Sequence, residues 1–211
     1  MILYLAEGPS SRVVEMFLLE SGVSIKKKII SLVKEENLKP EFLKMNPLGQ
    51  VPCLSIDNQI ICESTAICEY LEKKFKATNR SLFGANEIEN AQIHMWQKRI
   101  DLYVWENMYY AWKTSIGLEI FRSKTLVLPD ASDAFKQVAR HNLKMFDNQL
   151  KGNQWIGGNS FSICDISLFC ILDFGLQNKQ PFGSNLLELN VWYSTMMTRE
   201  SIYESMASLE N

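Results

Sequence analysis

A proline stands where an apolar run would begin to pair as a strand. In Asn46-Pro47-Leu48-Gly49-Gln50-Val51-Pro52-Cys53-Leu54 a turn signal leads straight into that run. Pro52 has no N–H to give a ladder and a fixed φ, so it belongs at an edge or at the first residue of a strand, not inside one. The loop before it could then hold an unusual shape; a cis Val51-Pro52 bond would supply one, although the proline alone does not specify that isomer. Two short strands, Val51 to Ile56 and Gln59 to Cys62, flank Asp57-Asn58, a tight hairpin turn. Glu63-Ser64 then opens an amphipathic helix with Ile67, Tyr70, Leu71 and Phe75 on one face. Such an arrangement suits a small peptide-like ligand held by its backbone.

The chain before this stretch reads as a parallel crossover. Ile2 to Leu5 is a strand and Ala6 to Pro9 a turn. A helix starts at Ser10 or Ser11, carries Val14, Phe17 and Leu18 on one face and stops at Gly22. Ile25 to Val33 is a second strand, and Leu38 to Met45 a short helix led by Pro40. Residues 1–76 therefore read β-α-β-α-β-β-α, an α/β domain. Residues 77–86 are a polar linker without periodicity. Residues 87–211 show no strand alternation, only helical patterns over Glu87 to Ile116, Ala131 to Leu150, Ser162 to Phe174, Val191 to Thr198 and Ser201 to Leu209. The expectation is an α/β domain followed by an all-α domain.

Composition narrows the function classes. With 46% hydrophobic residues the 211-residue chain can build a real core. A net charge of −2 and no basic run longer than Lys26-Lys27-Lys28 argue against nucleic acid. No apolar run approaches the ~20 residues of a membrane span. The five cysteines (Cys53, Cys62, Cys68, Cys164, Cys170) are odd in number, lie in apolar runs and form no CxxC. That pattern fits a reducing cytoplasm better than a metal site or a disulfide framework. His94 and His141 have no ligand partner at useful spacing.

Two helix starts are candidates for chemistry. At Gly8-Pro9-Ser10-Ser11-Arg12 a strand ends and a helix begins, so free N–H groups and the positive dipole end face whatever binds there. A hydroxyl at that point could donate to a ligand thiolate and lower the thiol pKa. Ser is equally a favoured N-cap, and both readings stand. At Glu63-Ser64-Thr65 the N–H groups and hydroxyls could take a carboxylate and Glu63 an ammonium, or the segment could simply cap its helix. Phe161-Ser162-Ile163-Cys164-Asp165-Ile166 reads as structural: Ser162 caps, Asp165 reaches back, and Phe161 and Ile166 form a hydrophobic staple. Tyr103, Trp105, Tyr109, Tyr110 and Trp112 crowd the first long helix as core, with some available to line an apolar cleft.

The stretch Asn46 to Pro52, the segment Glu63-Ser64-Thr65-Ala66-Ile67 and the Ser162…Asp165 box together resemble the cytosolic glutathione transferases, over essentially the whole chain. The resemblance implies a thioredoxin-like domain over 1–76, the linker, and an all-α domain over 87–211 that contributes the electrophile site. It implies a transferase that conjugates the glutathione thiolate to a hydrophobic electrophile, acts in detoxification, uses no cofactor beyond glutathione as co-substrate and forms a homodimer in the cytoplasm, without nucleic acid, membrane or metal. Pro52 would be the cis-proline, Val51 would pair with the cysteinyl part of glutathione, and Gln50 would lie near the glycyl half. Glu63 and Ser64 would hold the γ-glutamyl end and Lys39 the glycine carboxylate. Tyr103 and Tyr110 would meet the second substrate. For the thiol-activating group the order is Ser10, Ser11, Tyr4. Comparison with the bacterial beta-type pattern aligns Ser10 with the functional cysteine, and comparison with the delta-type pattern aligns Gly8 with the catalytic serine. That departure keeps open a non-catalytic or regulatory glutathione-binding protein; a glutathione-dependent thiol reductase would want a cysteine where Ser10 stands.

Overall fold

The first strand, β1 (Ile2–Leu5), runs into α1 (Pro9–Ser21), and β2 (Lys27–Ile29) returns parallel to β1. Then follow α2 (Pro40–Met45), β3 (Cys53–Ile56), β4 (Gln59–Cys62) and α3 (Ser64–Phe75). The computed structural model describes residues 1–76, 81–122 and 124–209. Residues 77–80, the first part of the expected linker, lie outside the described residues. The sheet order is β2-β1-β3-β4, with β3 antiparallel to both neighbours. This is the thioredoxin-like arrangement that the resemblance implies.

Alternation along the strands sorts the two sheet faces. Leu3, paired with Leu54, shares a face with Leu5; all three are fully buried, as are Phe17 of α1 and Ile67 and Leu71 of α3. Tyr4, paired with Cys53, turns to the other face, where Phe42 of α2, Ile30 and Cys53 form a second cluster with Met45, Val51, Ile60 and Cys62 against it. Each fully buried Leu or Phe contributes roughly 1.5–3 kcal/mol.

The second strand is shorter than its apolar pattern suggests. Ile30 N–H still donates to Leu5 C=O (2.7 Å), but Ser31 N–H is taken by the Glu36 carboxylate (2.9 Å) and the chain turns away. Val33, expected in the strand, is left 95% exposed. A side-chain acceptor has here replaced a ladder partner.

The chain divides into Met1–Leu82 with Arg199–Asn211, and Phe83–Thr198. The sequence division ran 1–76, 77–86 and 87–211, so the structure groups the last helix with the α/β unit. That helix, α10 (Glu200–Ala207), packs on α1. Buried Arg12 donates to Ser205 Oγ (3.3 Å) and to Ile202 C=O (3.2 Å). Arg199 makes a forked pair with Glu20, through Nε to Oε1 (2.7 Å) and Nη2 to Oε2 (2.5 Å), and Ser201 Oγ donates to Oε1 as well.

The second unit is helical among its described residues. Helix α4 (Glu87–Ile100) passes through a π turn over Asp101–Trp105 into α5 (Glu106–Lys113), realising the single long helix expected there. Asn86 caps α4, its side chain accepting from Ile88 and Glu89 N–H. Helices α6 (Leu118–Phe121), α7 (Ser132–Leu150), α8 (Ile163–Gln177) and α9 (Leu187–Met196) follow, with α7 packed on α5 and α9, and α8 on α4. Every residue of α8 from Ile163 to Leu172 is buried. Its start holds the expected Ser162–Asp165 box. Asp165 also accepts from Ile156 N–H (2.9 Å) and Trp192 Nε1 (3.0 Å). Burial pushes its carboxyl up to about 6 against the pull of these donors. No described helix is long and apolar enough to cross a membrane.

Two consequences are measurable. Asp165→Ala strips the acceptor from Ile156 N–H, Ser162 N–H and the Trp192 indole. At ~1–3 kcal/mol per unsatisfied buried group, the loss in urea unfolding is at least ~3 kcal/mol; a loss below ~1 kcal/mol would contradict the network. Burial pushes Glu20 up, but the hydrogen bonds of Arg199 and Ser201 and the Arg199 charge leave it below its ordinary value. A depressed carboxyl adds stability above its unfolded value and loses it as pH falls through the folded one. Arg199→Ala therefore costs about 1–2 kcal/mol near neutrality, and the gap to wild type closes below about pH 4.5. A pH-independent gap would show that the pair is not the source.

Candidate functional site

One row of paired residues defines the site. Tyr4 of β1 lies opposite Cys53 of β3, and Cys53 lies opposite Cys62 of β4. Because β3 is antiparallel to both neighbours, the end of β1, the start of β3 and the end of β4 fall at the same end of the sheet. Three segments thus leave together: Ala6 to Ser11, Val51-Pro52, and Glu63-Ser64.

The first segment begins α1. Its N-cap is Gly8, not Ser10 or Ser11, and makes no side-chain cap bond. Gly8 has φ 144° and ψ 164°, a backbone region essentially reserved for glycine. The first helical bond runs from Arg12 N–H to Gly8 C=O (3.1 Å), so the N–H groups of Ser10 and Ser11 precede it. Pro9 occupies the first helical position, where its missing N–H costs nothing. Ser11 Oγ is buried and accepts Ala6 N–H (3.1 Å), bracing the turn from β1. Ser10 is half-buried and its hydroxyl makes no hydrogen bond among the described residues. Tyr4 points to the α2 face, edge-on to Phe42 (centroids 5.8 Å) with Lys28 Nζ 5.7 Å from its ring.

The second helix start converges on the first. Ser64 Oγ donates to Ser10 C=O at 2.8 Å, tying α3 to α1 across 54 residues of sequence. Glu63 is the N-cap of α3 with φ 69° and ψ 125°, an uncommon backbone for a residue with a side chain. Its side chain caps nothing and is exposed. The first helical bond is Ile67 N–H to Glu63 C=O (3.0 Å), leaving Ser64, Thr65 and Ala66 N–H ahead of it. Two positive dipole ends therefore meet at this sheet end.

The third segment carries the cis Val51-Pro52 bond expected from sequence. Pro52 immediately precedes β3, where no ladder donor is needed of it. The loop before it is fixed by two asparagines that the sequence reading did not single out. Asn46 is buried; its side chain accepts Leu48 N–H (3.2 Å) and donates to Gln50 C=O (2.9 Å). Asn37 Nδ2 donates to Gly49 C=O (2.8 Å). Gly49 has φ 62°, and a Cβ there would meet Asn37 O and Leu38 Cδ2 at 3.1 Å. The Asn-Pro-Leu-Gly turn could have betrayed Asn46; nothing local marks Asn37. Gln50 is exposed and half-buried Val51 follows it. Lys39, exposed, is the N-cap of α2, in the segment after β2.

The other two expected residues belong to the helical unit. Tyr103 lies in the π turn, 45% exposed, with its C=O accepting from Asn107 and Asn142. Tyr110 stacks on Phe135 (5.7 Å, 28°) with Lys113 Nζ 5.3 Å from its ring. Burial pulls Lys113 below its ordinary value and pushes neighbouring Tyr109 up to about 12.

Known proteins share this architecture. Residues 3–79 match the Glutathione S-transferase, N-terminal domain family, and residues 123–200 match the Glutathione S-transferase, C-terminal domain family. The chain is 32% identical to Glutathione S-transferase 2 of Saccharomyces cerevisiae over 82% of its own length and 74% of that protein's. It is 31% identical to Probable elongation factor 1-gamma 2 of Arabidopsis thaliana over 85% of its length, but spans only 42% of that protein. The crystal structure of Gtt2 from Saccharomyces cerevisiae matches with a TM-score of 0.88 at 30% identity, over 97% of this chain and 100% of that one. Two domain matches in series, at this identity and coverage, establish that the chain belongs to the cytosolic glutathione transferase family.

Proposed function

We propose that the chain is a glutathione transferase whose thiol-activating group is Ser10, seated where α1 and α3 begin together. The observation that carries this reading is the Ser64 Oγ to Ser10 C=O bond. It fixes the α1 start, with the Ser10 hydroxyl unclaimed among the described residues, against the proposed γ-glutamyl site. Ser11 already braces the β1 turn and Tyr4 packs under α2, so neither competes well for the role.

Glutathione lies extended beside Val51, its cysteinyl backbone meeting the backbone N–H and C=O of that residue. Glu63 takes the γ-glutamyl ammonium. Since the Ser64 hydroxyl donates to Ser10, the γ-glutamyl carboxylate falls to the N–H groups of Ser64 and Thr65 at the α3 start. Gln50 meets the glycyl half and Lys39 the terminal carboxylate. The glutathione thiol gives its proton to solvent, and the Ser10 hydroxyl and α1 dipole stabilise the thiolate by roughly 2–3 pKa units in total. The sulfur lone pair attacks the electrophilic carbon, a C–S bond forms, and the leaving group departs with its electron pair. Tyr103 and Tyr110 serve the electrophile. A homodimer acting in cytoplasmic detoxification completes the reading.

A second reading is a glutathione-binding module with little turnover. It is favoured by Gly8 standing where one family pattern has a catalytic serine, and by the likeness to a protein named as a probable elongation factor. Retention on immobilised glutathione without conjugation across a panel of electrophiles would select it.

Ser10→Ala lowers kcat for conjugation to a chlorodinitrobenzene about 10- to 100-fold, with glutathione affinity little changed. Undiminished turnover would remove Ser10 from the role. Glu63→Ala weakens glutathione binding at least ~10-fold by calorimetry and leaves the circular dichroism spectrum and melting unchanged, because the side chain is exposed and caps nothing. Unchanged affinity would show that the peptide lies elsewhere.

A further inference from the structure

Cys53 and Cys62 face each other directly across β3 and β4, on the sheet face that α2 covers. Both are free thiols, and of the five cysteines Cys62 alone is not buried. Directly opposed residues of an antiparallel pair stand about 4.5–5.5 Å apart at Cα, inside the roughly 4.4–6.8 Å that a disulfide spans. The backbone thus already holds the pair at bridging distance. Each cysteine also abuts the ligand clamp: Cys53 follows Pro52, and Cys62 precedes Glu63.

We propose that Cys53 and Cys62 form a redox-active dithiol that a glutathione-type disulfide oxidises to an intrachain disulfide. Half-buried Cys62, the more accessible of the two, loses its proton, and its thiolate attacks one sulfur of oxidised glutathione. That S–S bond breaks, one glutathione leaves as a thiolate and takes up a proton, and a mixed disulfide remains on Cys62. Cys53 then loses its proton, attacks the Cys62 sulfur and displaces the second glutathione, which is protonated in turn. Two protein thiols have given up two electrons and two protons, and one disulfide has become two glutathione thiols. Burial pushes Cys53 up to about 12. Burial and the Glu63 charge raise Cys62 as well, so its place as first nucleophile rests on its being the more accessible of the two thiols. The choice of oxidant rests on the glutathione site proposed above; the pairing of the two thiols does not.

The test uses the full reduced chain. It is incubated with oxidised glutathione or, separately, with hydrogen peroxide, then acid-quenched, alkylated and weighed intact, with peptide mapping of the linkage. The expected result is loss of two hydrogens with Cys53 joined to Cys62 under both oxidants. Cys53→Ser stops at one glutathione attached to Cys62, Cys62→Ser forms neither product, and Cys68→Ser behaves as wild type. Five alkylated thiols after both treatments, or a bridge joining other cysteines, would overturn the proposal even if the two serine variants failed to fold. Retention on immobilised glutathione is scored in parallel. A chain that is retained but never bridged overturns the dithiol alone. A chain bridged by peroxide yet neither retained nor bridged by oxidised glutathione overturns the glutathione site and this route of oxidation.

Discussion

The antiparallel seat of β3 between β1 and β4 is the constraint on which the α/β unit turns. It sets the row Tyr4, Cys53, Cys62 and so brings three distant segments to one end of the sheet. The Ser64 to Ser10 hydrogen bond then locks two of them together. Had β3 run parallel to β1, its first residues would lie at the opposite end, and the Pro52 loop could not stand beside either helix start. The fold thereby concentrates free N–H groups at one place, a ready position for a ligand with negative groups at both ends.

The positions that make this place useful are held in backbone shapes that most residues avoid. Gly8 occupies a region closed to side chains, Glu63 has a positive φ, and Gly49 lies where a Cβ would press on Asn37. Glycine meets two of these needs without strain. Glu63 is the exception: its conformation costs something, and its side chain makes no cap bond that would repay it. An exposed carboxylate standing there at a cost fits the ammonium-binding role proposed for it. Asn46 and Asn37 act one step away, converting the loop between α2 and Pro52 into a hydrogen-bonded unit.

Much of this was legible in the residues. Pro52 at the head of an apolar run implied the strand boundary, because a proline leaves a strand few other options; the cis bond came from the family resemblance, since the proline alone does not carry it. The change from short alternating runs to helical periods marked two structural units, and the spacing of Ser162 and Asp165 specified its box. Other features were hidden because they depend on partners far away in sequence. The terminal helix joins the first unit through Arg12, Glu20 and Arg199, and none of those charges announces its partner. Ser10 and Ser11 look alike in sequence; only Ala6 N–H on Ser11 and Ser64 on the Ser10 carbonyl tell them apart. The strand over Lys27–Ile29 stops early because Glu36 captures Ser31, a contact that a hydropathy pattern does not register.

The central claim is that the glutathione sulfur sits at the start of α1 within reach of the Ser10 hydroxyl. A crystal structure of the complex with glutathione tests it most directly. The account predicts the sulfur ~3 Å from Ser10 Oγ, with the γ-glutamyl ammonium on Glu63 and the cysteinyl backbone paired to Val51. A sulfur closer to Ser11 or Tyr4, or a peptide bound away from Val51 and Glu63, would contradict it.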